Sequence, residues 1–549
     1  MSIISTRFAG TRSVLVELSD LDSVLALGAL LEAAPLPGQV DVLAAASTLF
    51  IKTDGWASAQ KISAAVLAME LGSAPADAGS LVEVPVFYDG EDLAEVARLT
   101  GLTVEGVVNA HSQQTWRAAF GGFAPGFAYL LGENQVLNVP RRDTPRKVVP
   151  SGAVALAGDY SAVYPRQSPG GWQLIGHTDA VLWDLERPNP ALIRPQDRVR
   201  FIPSRTSLQV APAQATAAAP AAPVSAHGTL LVVDPGLQSL IQDLGRPGFG
   251  NLGVSAAGSA DTGAASQANR LVGNKSSSAL IENLMGSLTL QAEGDQVLAV
   301  SGAEAEIVIV PVEDDEFHEE RLVPMNTPFA LLDGEIATLT PLGQGLRSYI
   351  AVRGGIDVAP VLGSRSTDSM SGIGPAPLTR GTALPVGAVH GAHVVGNPEP
   401  STLPVPDEDG VYTLRISAGP RDDWFGDAGL ARLTGQVWKV SAESNRVGVR
   451  LALGEGATAL ERVRSGELAS EGVAMGALQV PPSGLPVLFL ADHPVTGGYP
   501  VIAGVIAEDL GAAAQLPPGA GIRFALIDPH VHHVSHVSHA ARSTGSRTH

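Results

Sequence analysis

The densest group of cations in the chain is P-R-R-D-T-P-R-K, which gathers Arg141, Arg142, Arg146 and Lys147 in one short segment. It reads equally as an anion-binding loop and as a solvated one. Lysine is scarce, found only at Lys52, Lys61, Lys147, Lys275 and Lys439. A multiply charged anion must therefore be held mainly by arginine, whose planar fork suits phosphate and carboxylate oxygens. Downstream, S-P-G-G-W-Q-L-I-G begins at Ser168 and V-T-G-G-Y-P-V-I-A-G at Val495, so Gly170 and Gly171 recur as Gly497 and Gly498. Paired glycines serve a tight turn with positive φ, or a nest of bare N–H groups around an anion, beside the hydroxyls of Ser168 and Thr496. Further on, I-Q-D-L-G-R-P-G sets Gln242, Asp243 and Arg246 in one Gly-bounded turn, followed by Asp261 and Glu282. Arg246 there suits a carboxylate, and Asp243 with Asp261 suits a metal or a substrate amine. Asp243 and Arg246 equally suit a mutual ion pair that only fixes the turn. Asn445 and Arg446 form another compact polar pair.

Elements must hold these groups. The first 90 residues alternate strand and helix: strands at Val14 to Leu18, near Val40, at Thr48 to Lys52 and at Val82 to Tyr88, with helices after Asp20 and Gly55. Ile62, Val66 and Met69 fall on one helical face. That order predicts a small split-βαβ, ferredoxin-like domain. From Gln114 almost to Asp528, short apolar runs separated by Gly, Pro, Asn and Asp predict closed β-barrels, with helical stretches only at Thr262 to Val272 and Val501 to Gln515. Working backward from the Gly-Gly pairs, Ser151 onward parallels Ser470 onward, so each half is expected to carry a related barrel. The fold class is α+β, mostly β.

The Ala/Pro-rich segment 211–226 marks a linker, placed at 206–228, and a weaker break lies near Asn397 to Gly410. Expected units are 1–90, 91–205, 229–400 and 401–528, with a His-rich tail at 529–549. The acidic run from Glu313 reads as an exposed hairpin tip. A length of 549 residues fits about three or four domains. With 45% hydrophobic and 16% charged residues the chain is globular, and a net charge of −20 with scattered cations argues against nucleic acid as a partner. No cysteine is present, which excludes disulfides, thiolate metal sites and cysteine nucleophiles, and favours a cytoplasmic address. No leader-like start or long apolar run predicts a membrane association. No G-x-x-x-x-G-K-S/T occurs either, so a nucleotide site would not be a P-loop.

Several motifs carry a family resemblance. G-F-A-P-G-F-A-Y-L at Gly122, P-R-R-D-T-P-R at Pro140 and S-P-G-G-W-Q-L-I-G-H-T at Ser168 resemble the B component of bacterial 5-oxoprolinase, the allophanate-hydrolase-like family. I-Q-D-L-G-R-P-G at Ile241, A-N-R-L-V-G-N at Ala268, A-V-R-G-G-I-D-V-A-P-V-L-G-S-R-S-T at Ala351, S-N-R-V-G-V-R-L at Ser444 and T-G-G-Y-P-V-I-A at Thr496 resemble its C component. Two positions depart from the family pattern: Val495 precedes Thr496 where threonine is usual, and Ala128 replaces a common proline. The resemblance implies cyclophilin-like barrels in both halves and participation in the ATP-dependent opening of 5-oxo-L-proline to L-glutamate, with a LamB/YcsF-type protein as the third component. It implies ATP, with Mg²⁺, as cofactor and a small lactam or amide as substrate, and is compatible with a homo-oligomer. His111 and His177 match family positions and, with Asp243 and Arg246, are the expected catalytic groups. Arg142, Arg146, Ser168, Gly170, Gly171, Thr496, Gly497 and Gly498 are expected around the phosphates, and Gln242, Asp261, Glu282, Asn445, Arg446 and Tyr499 around the substrate. The same modules occur as the carboxyltransferase part of urea carboxylases and as a histidine-kinase inhibitor with its antagonist. A carboxyltransferase would need biotin on another chain, because no Met-Lys pair exists here.

Overall fold

A computed structural model describes residues 2–72, 79–204, 227–311, 319–389 and 394–531. The expected linker, the acidic run at Glu313 and the His-rich tail lie wholly or mostly outside them. Four antiparallel strands open the chain: β1 (Ile3–Phe8), β2 (Ser13–Leu18), β3 (Gln39–Ala44) and β4 (Thr48–Thr53), side by side in the order β1-β2-β4-β3. Helix α1 (Leu21–Ala33) starts where Asp20 accepts the Ser23 N–H at 2.8 Å, and α2 (Trp56–Leu67) follows β4. Successive strand residues point to opposite faces, and the sequence uses both. Val14, Val16, Leu49 and Ile51 pack on the helices. Leu15, Leu43 and Phe50 point the other way and share a core with Val495 of the second half.

The strand expected to close this domain leaves it. β5 (Leu81–Val86) runs parallel to a strand more than a hundred residues later, because β1 already covers the sheet edge beside β2. The 1–90 unit therefore loses its last strand to the barrel that follows. That barrel continues through α3 (Leu93–Thr100), α4 (Val104–Ser112), β6 (Trp116–Gly121), β7 (Ala128–Leu131), β8 (Arg146–Val149), β9 (Ala153–Ala157), β10 (Tyr160–Val163), β11 (Ser168–Gly170), β12 (Gln173–His177) and β13 (Arg198–Pro203). Its sheet runs β12-β9-β10-β7-β6-β13-β5, while β8 and β11 form a separate two-stranded ribbon. Phe87 and His177 exchange both backbone hydrogen bonds at 2.8 Å, joining β5 to β12 across the seam.

The second half ends in a closed barrel of the same design. Strand Val411–Ala418 pairs in parallel with the last strand, Gly521–Leu526, as β5 does with β13. The ring then passes through Val501–Val505, Ala477–Gln479, Val487–Phe489, Gly448–Leu453 and Trp438–Val440, matching β12, β9, β10, β7 and β6 in circular order. Trp116 and Trp438 each donate Nε1–H to a carbonyl five residues back, His111 at 2.9 Å and Leu433 at 3.0 Å. The expectation of related barrels holds at the level of strand order. The residue alignment shifts: Ser151 follows the ribbon strand β8, whereas Ser470 precedes its counterpart Glu471–Gly472.

Between the barrels, the described residues from Thr229 to Pro385 form a six-stranded and a five-stranded sheet around one apolar core, rather than the single ring expected over 229–400. Alternating burial along Ala305–Val310 shows why: one face meets the opposite sheet and the other meets solvent. Helix Thr262–Leu271 appears where expected, but Val501–Gln515 divides into a strand, a single 3₁₀ turn and a short helix at Leu510–Ala514. Among the described residues, no helix is long and apolar enough to cross a membrane.

Candidate functional site

The basic cluster and the first Gly-Gly pair meet because β8 pairs with β11. Gly170 lies opposite Arg146 in the ribbon, and the Arg142 N–H donates to the Gly171 carbonyl at 2.8 Å. Both guanidinium groups turn onto one carboxylate that the sequence alone did not single out. Asp92 Oδ1 accepts from Arg142 at 2.6 Å and from Arg146 at 2.9 Å, while its Oδ2 accepts the Leu174 N–H at 2.7 Å. Burial alone would raise the Asp92 pKa; Arg146, the Leu174 N–H and Arg142 outweigh it and hold the carboxyl below its usual range. Asp92 precedes α3, where an aspartate reads as an ordinary helix start, so its type and position carried no functional signal. The arginines keep capacity in reserve. Arg142 Nε, Arg146 Nη1 and Ser168 Oγ have no hydrogen-bond partner.

The glycines do not form a nest. None of Gly170, Gly171, Gly497 and Gly498 has φ in the left-handed region that an anion nest or a positive-φ turn requires. Gly170 and Gly497 are glycine for space instead. A Cβ on Gly170 would overlap the Tyr164 hydroxyl, and one on Gly497 the Gln479 amide. Gly497 lies opposite Glu471 in its own ribbon, where the first half has Arg146, so the repeated spelling supports opposite charges. Thr496 Oγ1 is buried without a partner, and Tyr499 is exposed with Arg462 over its ring.

The two histidines separate. His177, at the barrel seam, stacks on Phe87 and meets Asp89 at 2.8 Å through Nδ1, with its side chain partly in solvent. His111 is a correction: it sits in the barrel core, stacked on Phe201, with Nδ1 bonded to Tyr88 Oη at 2.7 Å and Nε2 to Ser161 Oγ at 2.8 Å. Burial pushes its pKa down to about 3, so it stays neutral with both nitrogens engaged. It is a structural residue.

In the second half Arg446, Glu282 and Asp261 join a buried network between the two-sheet unit and the barrel. Arg446 clasps Asp492 through Nε at 3.0 Å and Nη2 at 2.8 Å, donates to Glu282, and reaches the Gly258 carbonyl at 2.6 Å. Burial opposes its charge, but Asp492 and Glu282 more than restore it. Glu282 also accepts from Tyr349 Oη at 3.0 Å and the Ala260 N–H at 2.9 Å. Asp261 caps helix Thr262–Leu271 and accepts from Gln515 at 3.0 Å; burial raises its pKa. Asp243 and Arg246 do not pair. Asp243 accepts from the hydroxyls of Ser364 and Ser366, each at 2.6 Å, and from the N–H groups of Gly245 and Arg365 at 2.7 and 2.6 Å. Arg246 donates to the Ser366 and Val361 carbonyls, leaving Nη1 unpartnered, and burial lowers its pKa. Gln242 donates to the Thr367 carbonyl at 2.9 Å. Asn445 folds onto its own turn, accepting the Val447 N–H at 2.9 Å. Arg446, Glu282, Asp261 and Asp243 thus have their partners within the protein, while Gln242 Oε1 and Arg246 Nη1 are left without one. Among the described residues no group of three or more His, Cys, Asp and Glu could hold a metal.

Comparison with known proteins assigns the whole arrangement. Residues 4–193 match the carboxyltransferase domain, subdomains C and D, and residues 252–526 match subdomains A and B of the same domain. The chain belongs to the carboxyltransferase-domain family. Among its relatives, the C component of 5-oxoprolinase from Escherichia coli K12 is 36% identical over 304 residues, 54% of this chain and 90% of that protein. The B component of 5-oxoprolinase from Escherichia coli O157:H7 is 47% identical over 127 residues, 23% of this chain and 58% of that protein. The crystal structure of TTHA0988 superposes with a TM-score of 0.79 at 33% identity, covering 94% of this chain and 100% of that one. The carboxyltransferase-domain fold thus accounts for both barrels and for the sheets between them.

Proposed function

We propose that this carboxyltransferase-domain protein is the fused B and C components of an ATP-dependent 5-oxoprolinase, activating 5-oxo-L-proline by phosphorylation for ring opening to L-glutamate with a LamB/YcsF-type third component. The observation that carries the reading is that one chain is similar to relatives named for two different components of one enzyme. A lactam is stabilised by resonance, so its oxygen becomes a leaving group only after activation. ATP supplies the phosphoryl group for that step when bound. The donor set around β8 and β11 suits phosphate oxygens: two arginines held by Asp92, with Glu91 on Arg146 as well, a spare N–H on each, and the unpartnered Ser168 hydroxyl on β11. Arg142 and Arg146 would hold the phosphates and Asp92 would orient them. Mg²⁺ would be carried largely by the phosphates themselves, since no protein cage is present among the described residues. His177, bonded to Asp89 at the end of the strand that carries Leu174, would be the imidazole that exchanges a proton in this reading.

The test is 5-oxoproline-dependent ADP release by the purified chain, with and without the third component. Alone, the chain should release ADP slowly with little glutamate; the added protein should couple the two. Arg142→Ala and His177→Ala should lower ADP release while the barrels stay folded. Full-rate glutamate formation by the isolated chain, or normal coupled activity in both variants, overturns this division of labour. The family's carboxyltransferase description supports a second reading, carboxyl transfer from a biotin carried on another chain. Transfer of the carboxyl group from free carboxybiotin to an amide acceptor, yielding biotin and the N-carboxylated amide, would favour it.

A further inference from the structure

The face of the N-terminal sheet that turns away from α1 and α2 does not end at Phe50. Two residues on, Lys52 shares that face with its cross-strand neighbours Ser13 and Asp41. Where the sheet meets the second half, a cavity of about 240 Å³ remains, smaller than the roughly 300 Å³ at which drug-sized pockets begin. Its walls come from both halves; Lys52, the exposed Arg12 and His493 are its ionisable groups, beside the hydroxyls of Thr11, Ser13 and Thr53 and apolar side chains such as Met475 and Ala491.

Three observations make this a built site. The Lys52 side chain enters no hydrogen bond or ion pair among the described residues, and burial lowers its pKa against the pull of Asp41. His493 is buried and its pKa falls to about 3, first from burial and then from the nearby Lys52 charge, so the ring is neutral. Its Nδ1 lies 2.8 Å from the Pro494 carbonyl, which can only accept. The proton therefore sits on Nδ1 and the lone pair on Nε2. Finally, Ala257 on the cavity wall holds φ at 51°, a costly angle for alanine, fixed through Ser255 Oγ, which accepts the Ala257 N–H and donates to the Ala491 carbonyl. Strained backbone is thus held at the wall, next to the buried Asp492.

We propose that this cavity binds a small amide or lactam carrying a carboxylate, with Lys52 as the counter-ion of the carboxylate and Nε2 of His493 accepting the amide N–H. The pairing offers one cationic donor and one neutral acceptor on the wall of a small cavity, which suits a molecule bearing both an anion and an N–H. The choice of 5-oxo-L-proline as the probe rests on the functional reading above.

Calorimetric titration of 5-oxo-L-proline into the full chain tests the proposal. Lys52→Met and His493→Asn should each raise Kd about tenfold or more, since each removes one partner of a desolvated polar contact. Asparagine keeps the donor to Pro494 but lacks the distal acceptor. Lys52→Arg should recover most of the affinity, which a fold defect in Lys52→Met would not predict. 2-Pyrrolidinone, without a carboxylate, should bind wild type and Lys52→Met alike. Absence of wild-type binding, or an unchanged Kd in both variants, overturns the site. If binding is unchanged in the variants while the wild type still releases ADP with the third component, the site falls and the functional reading stands. If the variants lose binding but no ADP is released, the functional reading falls and the site stands.

Discussion

At the scale of single residues, the two glycines of each pair do different work. A Cβ on Gly171 would have its nearest neighbour, Pro145, at 3.8 Å, and one on Gly498 would find the Leu468 carbonyl oxygen at 3.7 Å, both ordinary contacts. Gly171→Ala and Gly498→Ala should stay within about 0.5 kcal/mol of wild type. Gly170→Ala and Gly497→Ala should cost about 1–3 kcal/mol each, because an added methyl must displace Tyr164 or Gln479. Denaturant melts of the four variants separate these outcomes, and equal losses within a pair would contradict the steric account. His111 and His493 make the second residue-scale prediction. Each has a folded pKa near 3 against about 6.5 unfolded, so below pH 6.5 the unfolded chain binds more protons. Stability should therefore fall as pH drops from 6.5 toward 3, by up to about 1.4 kcal/mol per pH unit for each ring. His111→Gln should flatten that slope between pH 6.5 and 5, where most carboxylates are still ionised; an unchanged slope would mean His111 is not buried as a neutral ring.

At the scale of elements, the sequence was legible where periodicity dominates and opaque where long-range partners decide. The barrels could be read from short apolar runs between turn residues. The ownership of β5 could not, because Leu81–Val86 has the same pattern whichever sheet receives it and only the occupied edge beside β2 excludes it from the first. Val501–Gln515 misled for a related reason: Val501–Val505 is buried throughout, and an unbroken apolar run has no period to distinguish strand from helix. The mutual contacts of the second-half candidates were not visible in the sequence, since Arg446 meets Glu282 across 164 residues of chain. The missed pair Asp492 and His493 stands directly before the Gly-Gly motif, in A-D-H-P, and that adjacency was the available signal. Arg446→Met should cost about 3–5 kcal/mol, because Glu282 and Asp492 would be left buried without their shared cation. Asn445→Ala, one residue away on an exposed turn, should stay within about 0.5 kcal/mol in the same melts.

Across the whole molecule, the halves meet through apolar and charged contacts together. Val495 completes a core with Leu15, Leu43 and Phe50, Arg421 binds Glu17 and Glu471 at once, and Arg166 donates to the Met370 carbonyl. Cleaving the chain between residues 211 and 226 should leave two pieces that co-elute at micromolar concentration, and their separation would refute a fixed interface. The barrels also impose an order in time. In each, the first strand pairs in parallel with the last, so a chain emerging from the ribosome carries Leu81–Val86 unmatched until Arg198–Pro203 appears, and Val411–Ala418 until Gly521–Leu526. The apolar face at Leu15, Leu43 and Phe50 waits longer still, for Val495. Birth from one message delivers that missing surface to its own partner each time, whereas two separate polypeptides would have to find each other with the face uncovered.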